Sequence, residues 1–134
     1  MTAIIAIEGI GDKYASVLKG IGIATVEALL KAGATPKGRQ EISEKTGISE
    51  PMVLEWTNRA DLFRIIGVGE EYSDLLEAAG VDTVVELAQR NAEHLFQKLV
   101  ATNEDQKKVR KLPTQGQVAD WIEQAKGMPR VMTY

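Results

Sequence analysis

Apolar residues recur along this chain in short runs at helical spacing, each run bounded by glycine, threonine or proline. Tyr14, Val17, Leu18 and Ile21 share a face just past Gly11, and Tyr72, Leu75, Leu76 and Ala79 do so just past Gly69. The spacing predicts a helix at each place. Gly22 and Gly80 stand where left-handed glycines end such helices. Thr25 and Thr83 stand where hydroxyls cap the next ones. Those next helices turn Val26, Leu29 and Leu30 inward in one case and Val84, Leu87 and Ala88 in the other. Thr35-Pro36 marks a further start, because proline at the first helical position gives up no intrahelical hydrogen bond. The helix it opens, from about Lys37 to Lys45, is polar except for Ile42. Ser49 is expected to cap a helix beginning Glu50-Pro51, with Val53, Leu54, Trp56 and Ala60 inward. A helix near Ala92 to Ala101 presents Leu95, Phe96, Leu99 and Val100. No alternating pattern runs longer than a few residues, so the expected fold is all-α.

The pattern also repeats. Ile7-Glu8-Gly9-Ile10-Gly11-Asp12-Lys13-Tyr14 returns as Ile65-Ile66-Gly67-Val68-Gly69-Glu70-Glu71-Tyr72. At the same spacing Ile4 meets Leu62, Leu18 meets Leu76, Gly22 meets Gly80, and Thr25-Val26 meets Thr83-Val84. Such agreement is the mark of an internal duplication. Trp56 and Trp121 also correspond, at a larger spacing, with the extra length of the second half around Asn103 to Lys111. The expected organisation is a first half over residues 1–64, a second over 65–127, and an extended tail over 128–134 lying on the body. With no proline-, glycine- or serine-rich linker between them, the halves read as one compact unit.

Composition narrows the classes of function. The chain has 134 residues, 44% of them hydrophobic and 26% charged, an ordinary globular mix; aromatics are only 5%, so aliphatic side chains must fill the core. Cysteine is absent, which removes disulfides, thiolate metal sites and a cysteine nucleophile and fits a reducing, cytoplasmic setting. A signal peptide is not expected, and no stretch approaches the ~20 apolar residues of a membrane span. The net charge is −3, with positive and negative side chains balanced over residues 1–64 and the acidic excess beyond them. Only the first half would tolerate a polyanion easily.

The run Ile4-x-x-Ile7-x-Gly9-Ile10-Gly11-x-x-x-Ala15-x-x-Leu18 resembles the helix-hairpin-helix motif. Leu62-x-x-Ile65-x-Gly67-Val68-Gly69-x-x-x-Ser73-x-x-Leu76 resembles it with serine in place of the alanine. Ile42-x-x-Lys45-x-Gly47-Ile48-Ser49 looks like a degraded third copy. Residues 10–60 are similar to the N-terminal domains of archaeal and eukaryotic recombinases, through Gly22-Ile23-Ala24-Thr25-Val26 and Gly47-Ile48-Ser49. The doubled chain is similar to an uncharacterised helix-hairpin-helix family, a domain of unknown function.

That resemblance implies binding of duplex-DNA backbone. Amides beside Gly9, Ile10, Gly11 and Lys13 would face a phosphate oxygen, and those beside Gly67 and Gly69 would do so in the second copy. Lys13 adds a favourable charge; Glu70 and Glu71 oppose one. Lys37, Arg39 and Lys45 are expected to extend a positive face toward the first turn. Lys107, Lys108, Arg110 and Lys111 read as a solvated charged face. Trp56 and Trp121 read as core residues lying away from the glycine turns. His94 has no ligand cluster or nucleophile beside it, no catalytic motif is present, and neither an enzyme nor a cofactor nor a metal is expected. The acidic balance and the apolar tail fit a second reading, a protein-interaction or scaffold module that keeps the fold without DNA binding.

Overall fold

The computed structural model describes residues 2–134. It is all-α. The chain divides into two compact units, one running up to Asp61 and including Val131–Tyr134, the other spanning Leu62–Arg130. The sequence reading set its boundaries after residues 64 and 127.

In the first unit a 3-10 turn at Ile4–Ala6 precedes α1 (Asp12–Lys19), α2 (Val26–Gly33), α3 (Pro36–Thr46) and α4 (Glu50–Leu62). The caps explain the breaks. Thr25 Oγ1 accepts the Ala28 amide at 3.0 Å and Thr35 Oγ1 the Gly38 amide at 3.1 Å. Helix α1 ends in two reversed bonds, Gly22 N–H to Lys19 O at 3.0 Å and Ile23 N–H to Leu18 O at 2.9 Å. This is the Schellman arrangement, and it needs the left-handed residue that Gly22 supplies at φ +88. Ile4, Ile7, Ile10, Leu18, Val26, Leu29 and Trp56 are all buried. Helix α2 closes on Thr57 of α4 at Gly33, where a Cβ would stand 2.5 Å from Thr57 Oγ1.

The tail completes this unit. The Thr133 amide donates to Ala34 O at 2.8 Å, the Tyr134 hydroxyl to Asn58 Oδ1 at 3.1 Å, and Met132 is 2% exposed.

The second unit holds α5 (Glu70–Ala78), α6 (Val84–Ala88), α7 (Ala92–Gln106) and α8 (Gln115–Lys126). Its core joins Leu62, Ile65, Leu75, Leu76, Val84, Leu87, Leu95, Leu99, Val118 and Trp121. Val81 N–H to Leu76 O and Gly80 N–H to Glu77 O, both 2.9 Å, close α5 as α1 is closed. Helix α7 continues past Ala101, into the segment expected to carry the extra length, and stops at Lys107, whose φ is +51. The Asn103 side chain then grips the returning chain, accepting from the Val109 amide at 2.9 Å and donating to Val109 O at 3.2 Å. Apolar periodicity could not reveal that last stretch, because its helical turn is polar all round. No helix among the described residues is long and apolar enough to cross a membrane.

Candidate nucleic-acid interface

The first glycine turn is built on two buried isoleucines. Ile7 N–H reaches Ile4 O at 3.2 Å and Ile10 N–H reaches Ile7 O at 3.1 Å, so the chain winds tightly before it reverses. Gly9, at φ +95, makes the reversal. Ile10, 3% exposed, pins the loop to the core, while Glu8, Gly9 and Gly11 are exposed. Gly11 then opens α1 as its N-cap with φ −86 and ψ −174, an extended geometry open to any residue. Nothing lies within 4 Å of a Cβ built on it. The fold therefore does not require glycine at position 11, and that open ground stands before the first amides of α1.

Those amides have no acceptor within the described chain: α1 carries no side-chain cap, and its first inward bond is Ala15 N–H to Gly11 O at 2.9 Å. Elsewhere Thr25, Thr35, Thr83, Asn91 and Thr114 cap the helices they precede, and Ser49 approaches the Met52 amide at 3.4 Å. Among the described residues only α1 and α5 open on glycine and lack a side-chain cap. Lys13 is exposed in the first turn of α1, beside Asp12. Arg59 braces the turn from behind, its Nη1 donating to Glu8 O at 2.6 Å and its Nη2 meeting Glu55 Oε1 at 3.3 Å.

The second turn copies the backbone and changes the charge. Ile65 N–H to Leu62 O and Val68 N–H to Ile65 O, both 3.1 Å, lead into Gly67 at φ +100 and Gly69 at the N-cap of α5. Gln124 takes the bracing role, accepting from the Ile66 amide at 2.9 Å and donating to Ile66 O at 3.0 Å. A neutral amide thus stands where the first turn has a guanidinium, and Glu70 and Glu71 occupy the first helical turn. Ser73, the departure from alanine, is fully buried and gives its hydroxyl to Glu70 O at 3.1 Å.

Two expectations need correction. The tryptophans do not lie away from the glycine turns: a Cβ on Gly9 would come within 3.1 Å of Trp56 Nε1, and one on Gly67 equally close to Trp121 Nε1. The contact spans most of a half in sequence, so local pattern could not reveal it. Both are core residues, as read, with Tyr14 tilted on Trp56 at 5.1 Å and Tyr72 on Trp121 at 5.2 Å between ring centroids.

Arg39 is not part of a positive face. It is 6% exposed, gives its Nη1 to Gly33 O and Nη2 to Thr133 O, each at 2.8 Å, and faces the Tyr134 ring. Burial pulls its guanidinium below the usual arginine value, with Tyr134 and Glu50 opposing. Lys45 lines a groove beside Gly22, past the end of α1 opposite Gly11, and Lys37 lines another with Glu50 and Leu54. In the apolar tail Met132 is buried while Tyr134 is 64% exposed.

In the basic cluster Lys108 pairs with Asp74 at 3.6 Å, and His94 is exposed on α7. Among the described residues no three His, Cys, Asp or Glu side chains gather to hold a metal. Arg59 escaped the sequence reading altogether. The signal was available in its alignment with Gln124, one residue type bracing each turn.

The span from Glu8 to Met128, with both glycine turns and both tryptophans, is the extent of a family match. The chain belongs to the family described as Domain of unknown function (DUF4332), matched over residues 8–128. No curated protein and no solved structure matches it.

Proposed function

We propose that the glycine turns are helix-hairpin-helix turns, related by duplication, and that the first holds the phosphate backbone of duplex DNA without reading its sequence. The observation that carries this reading is Gly11. It is a glycine that neither backbone angle nor packing demands, set before uncapped amides at the start of a helix. A phosphate oxygen is the natural acceptor for such amides, because helix N-termini favour negative charge and glycine lets the strand approach. Lys13 adds a cation in reach of the same place, and Arg59 carries a second positive charge behind the loop. The second turn, with Glu70, Glu71 and Gln124, keeps the shape and supplies internal carboxylates in place of an anion. Contacts of this kind position a protein on DNA and carry no base information.

The test is an anisotropy titration of the full chain against a short labelled duplex at two salt concentrations. Binding that weakens as salt rises, and weakens further in Lys13→Glu while thermal unfolding is unchanged, supports the reading. Equal affinity of Lys13→Glu and the parent chain removes it.

A second reading, a protein-interaction module without DNA binding, draws on one observation. Ile66 is 82% exposed at the second turn, beside the two glutamates. Self-association or partner capture that disappears in Ile66→Ser, with no DNA binding at low salt, would favour it.

A further inference from the structure

Trp56 is 3% exposed, yet its indole N–H makes no hydrogen bond with any described residue. Buried tryptophans ordinarily place that proton on an acceptor. Among the described residues no fully buried side-chain nitrogen or oxygen is left without a partner, so Nε1 is not sealed in. The opening lies at Gly9. Nε1 sits 3.1 Å from the point where a Cβ on Gly9 would stand, so the missing side chain is what uncovers it. The indole also meets the ring of Tyr14, in the first turn of α1. The unpartnered donor therefore lies at the glycine loop, on an indole that packs against a residue in the first turn of α1.

We propose that Trp56 Nε1–H is a side-chain donor to the phosphate oxygen bound at the first glycine turn, converging with the amides that follow Gly11. The inference rests on the DNA-backbone reading above and adds a residue to it. It assigns Gly9 two duties: a backbone reversal at φ +95, and a window for the indole proton. A rigid donor buried up to its last atom suffers almost no ordering when it binds, unlike Lys13, whose long chain must be immobilised. Trp121 stands in the same relation to Gly67 at the acidic turn and is the matched control, with the same packing and no expected anion.

The test uses the full chain labelled with 15N, titrated with a short DNA duplex and, separately, with inorganic phosphate. The Trp56 indole resonance is expected to move and saturate together with the amides of Gly11 and Lys13, while the Trp121 indole stays still. Trp56→Phe keeps an aromatic ring, removes the donor and loses part of the indole's packing; it is expected to bind duplex about tenfold more weakly, the effect of losing one hydrogen bond to a charged group. Trp121→Phe, which loses the same packing atoms, is expected to bind as the parent does. A response to inorganic phosphate as well as to duplex assigns the contact to phosphate itself, and a response to duplex alone assigns it to the polymer backbone. If the Gly11 and Lys13 amides move but the Trp56 indole does not, and Trp56→Phe binds normally, the inference is overturned and the DNA reading stands. If those amides do not move at all, both fall together.

Discussion

The indole of Trp56 borders the space a side chain at Gly9 would need: a Cβ there would lie 3.1 Å from Nε1, so the ring would have to give by a few tenths of an ångström. Gly9 is also left-handed at φ +95. Gly9→Ala therefore meets backbone strain and a collision at once, and is expected to lose about 1–3 kcal/mol of stability, the scale of a residue held in a disfavoured backbone region. Denaturant unfolding of Gly9→Ala and of its counterpart Gly67→Ala checks this, and the two losses are expected to be similar.

Gly11 behaves in the opposite way. Its angles are ordinary and its surroundings empty, so a serine fits and gains a capping hydroxyl for the amides of α1. Gly11→Ser is expected to hold or raise stability by a few tenths of a kcal/mol. It is also expected to weaken DNA binding, because the new hydroxyl takes an amide and the new Cβ stands in the approach. Stability and affinity moving in opposite directions, read by thermal unfolding and by titration, separates a binding glycine from a folding glycine.

The C-terminal segment is structural. Met132 is almost fully buried, and Thr133 accepts a hydrogen bond from Arg39 Nη2 at its carbonyl and donates one from its amide to Ala34 O. Met132→Ala is expected to cost about 2–5 kcal/mol, the range for emptying a buried methionine site. Denaturant midpoints measure it; a loss below 1 kcal/mol would mean the segment is not part of the folded unit.

Asp82 carries a pH dependence. Burial first, then the nearby carboxylates of Glu86 and Glu77, raises its carboxyl above the ordinary value of 3.8. The folded chain then holds this proton more tightly than the unfolded chain. The group's contribution to stability therefore falls as pH climbs from that ordinary value through the raised one, and its charge is a net cost at neutral pH. Asp82→Asn is expected to raise the melting temperature at pH 7 and to flatten the fall just above the ordinary carboxylate range. Melting curves across acid and neutral pH measure both.

The helices were legible because their determinants are local. Thr25, Thr35 and Thr83 declare helix starts through bonds that reach only three residues ahead, and Gly22 and Gly80 declare ends through bonds that reach only three to five residues back. The glycine turns were legible for the same reason. What surrounds them was not. Trp56 reaches Gly9 across the whole of α1 to α3, and Arg39 is buried only because the far end of the chain comes back to cover it. A charged residue near a helix start looks solvated until a distant segment arrives, and no spacing rule encodes that arrival. The doubled alignment held more than local pattern did: it set Arg59 against Gln124 and so contained the charge difference between the turns.

The most direct measurement is an amide chemical-shift map of the full chain during titration with duplex DNA at low salt, comparing the two turns. The account predicts that the amides of Gly11, Asp12 and Lys13 move together and saturate, that their response shrinks as salt is added, and that those of Gly69, Glu70 and Glu71 stay in place. Movement confined to the second turn, or no movement at either while DNA is bound elsewhere, would contradict it.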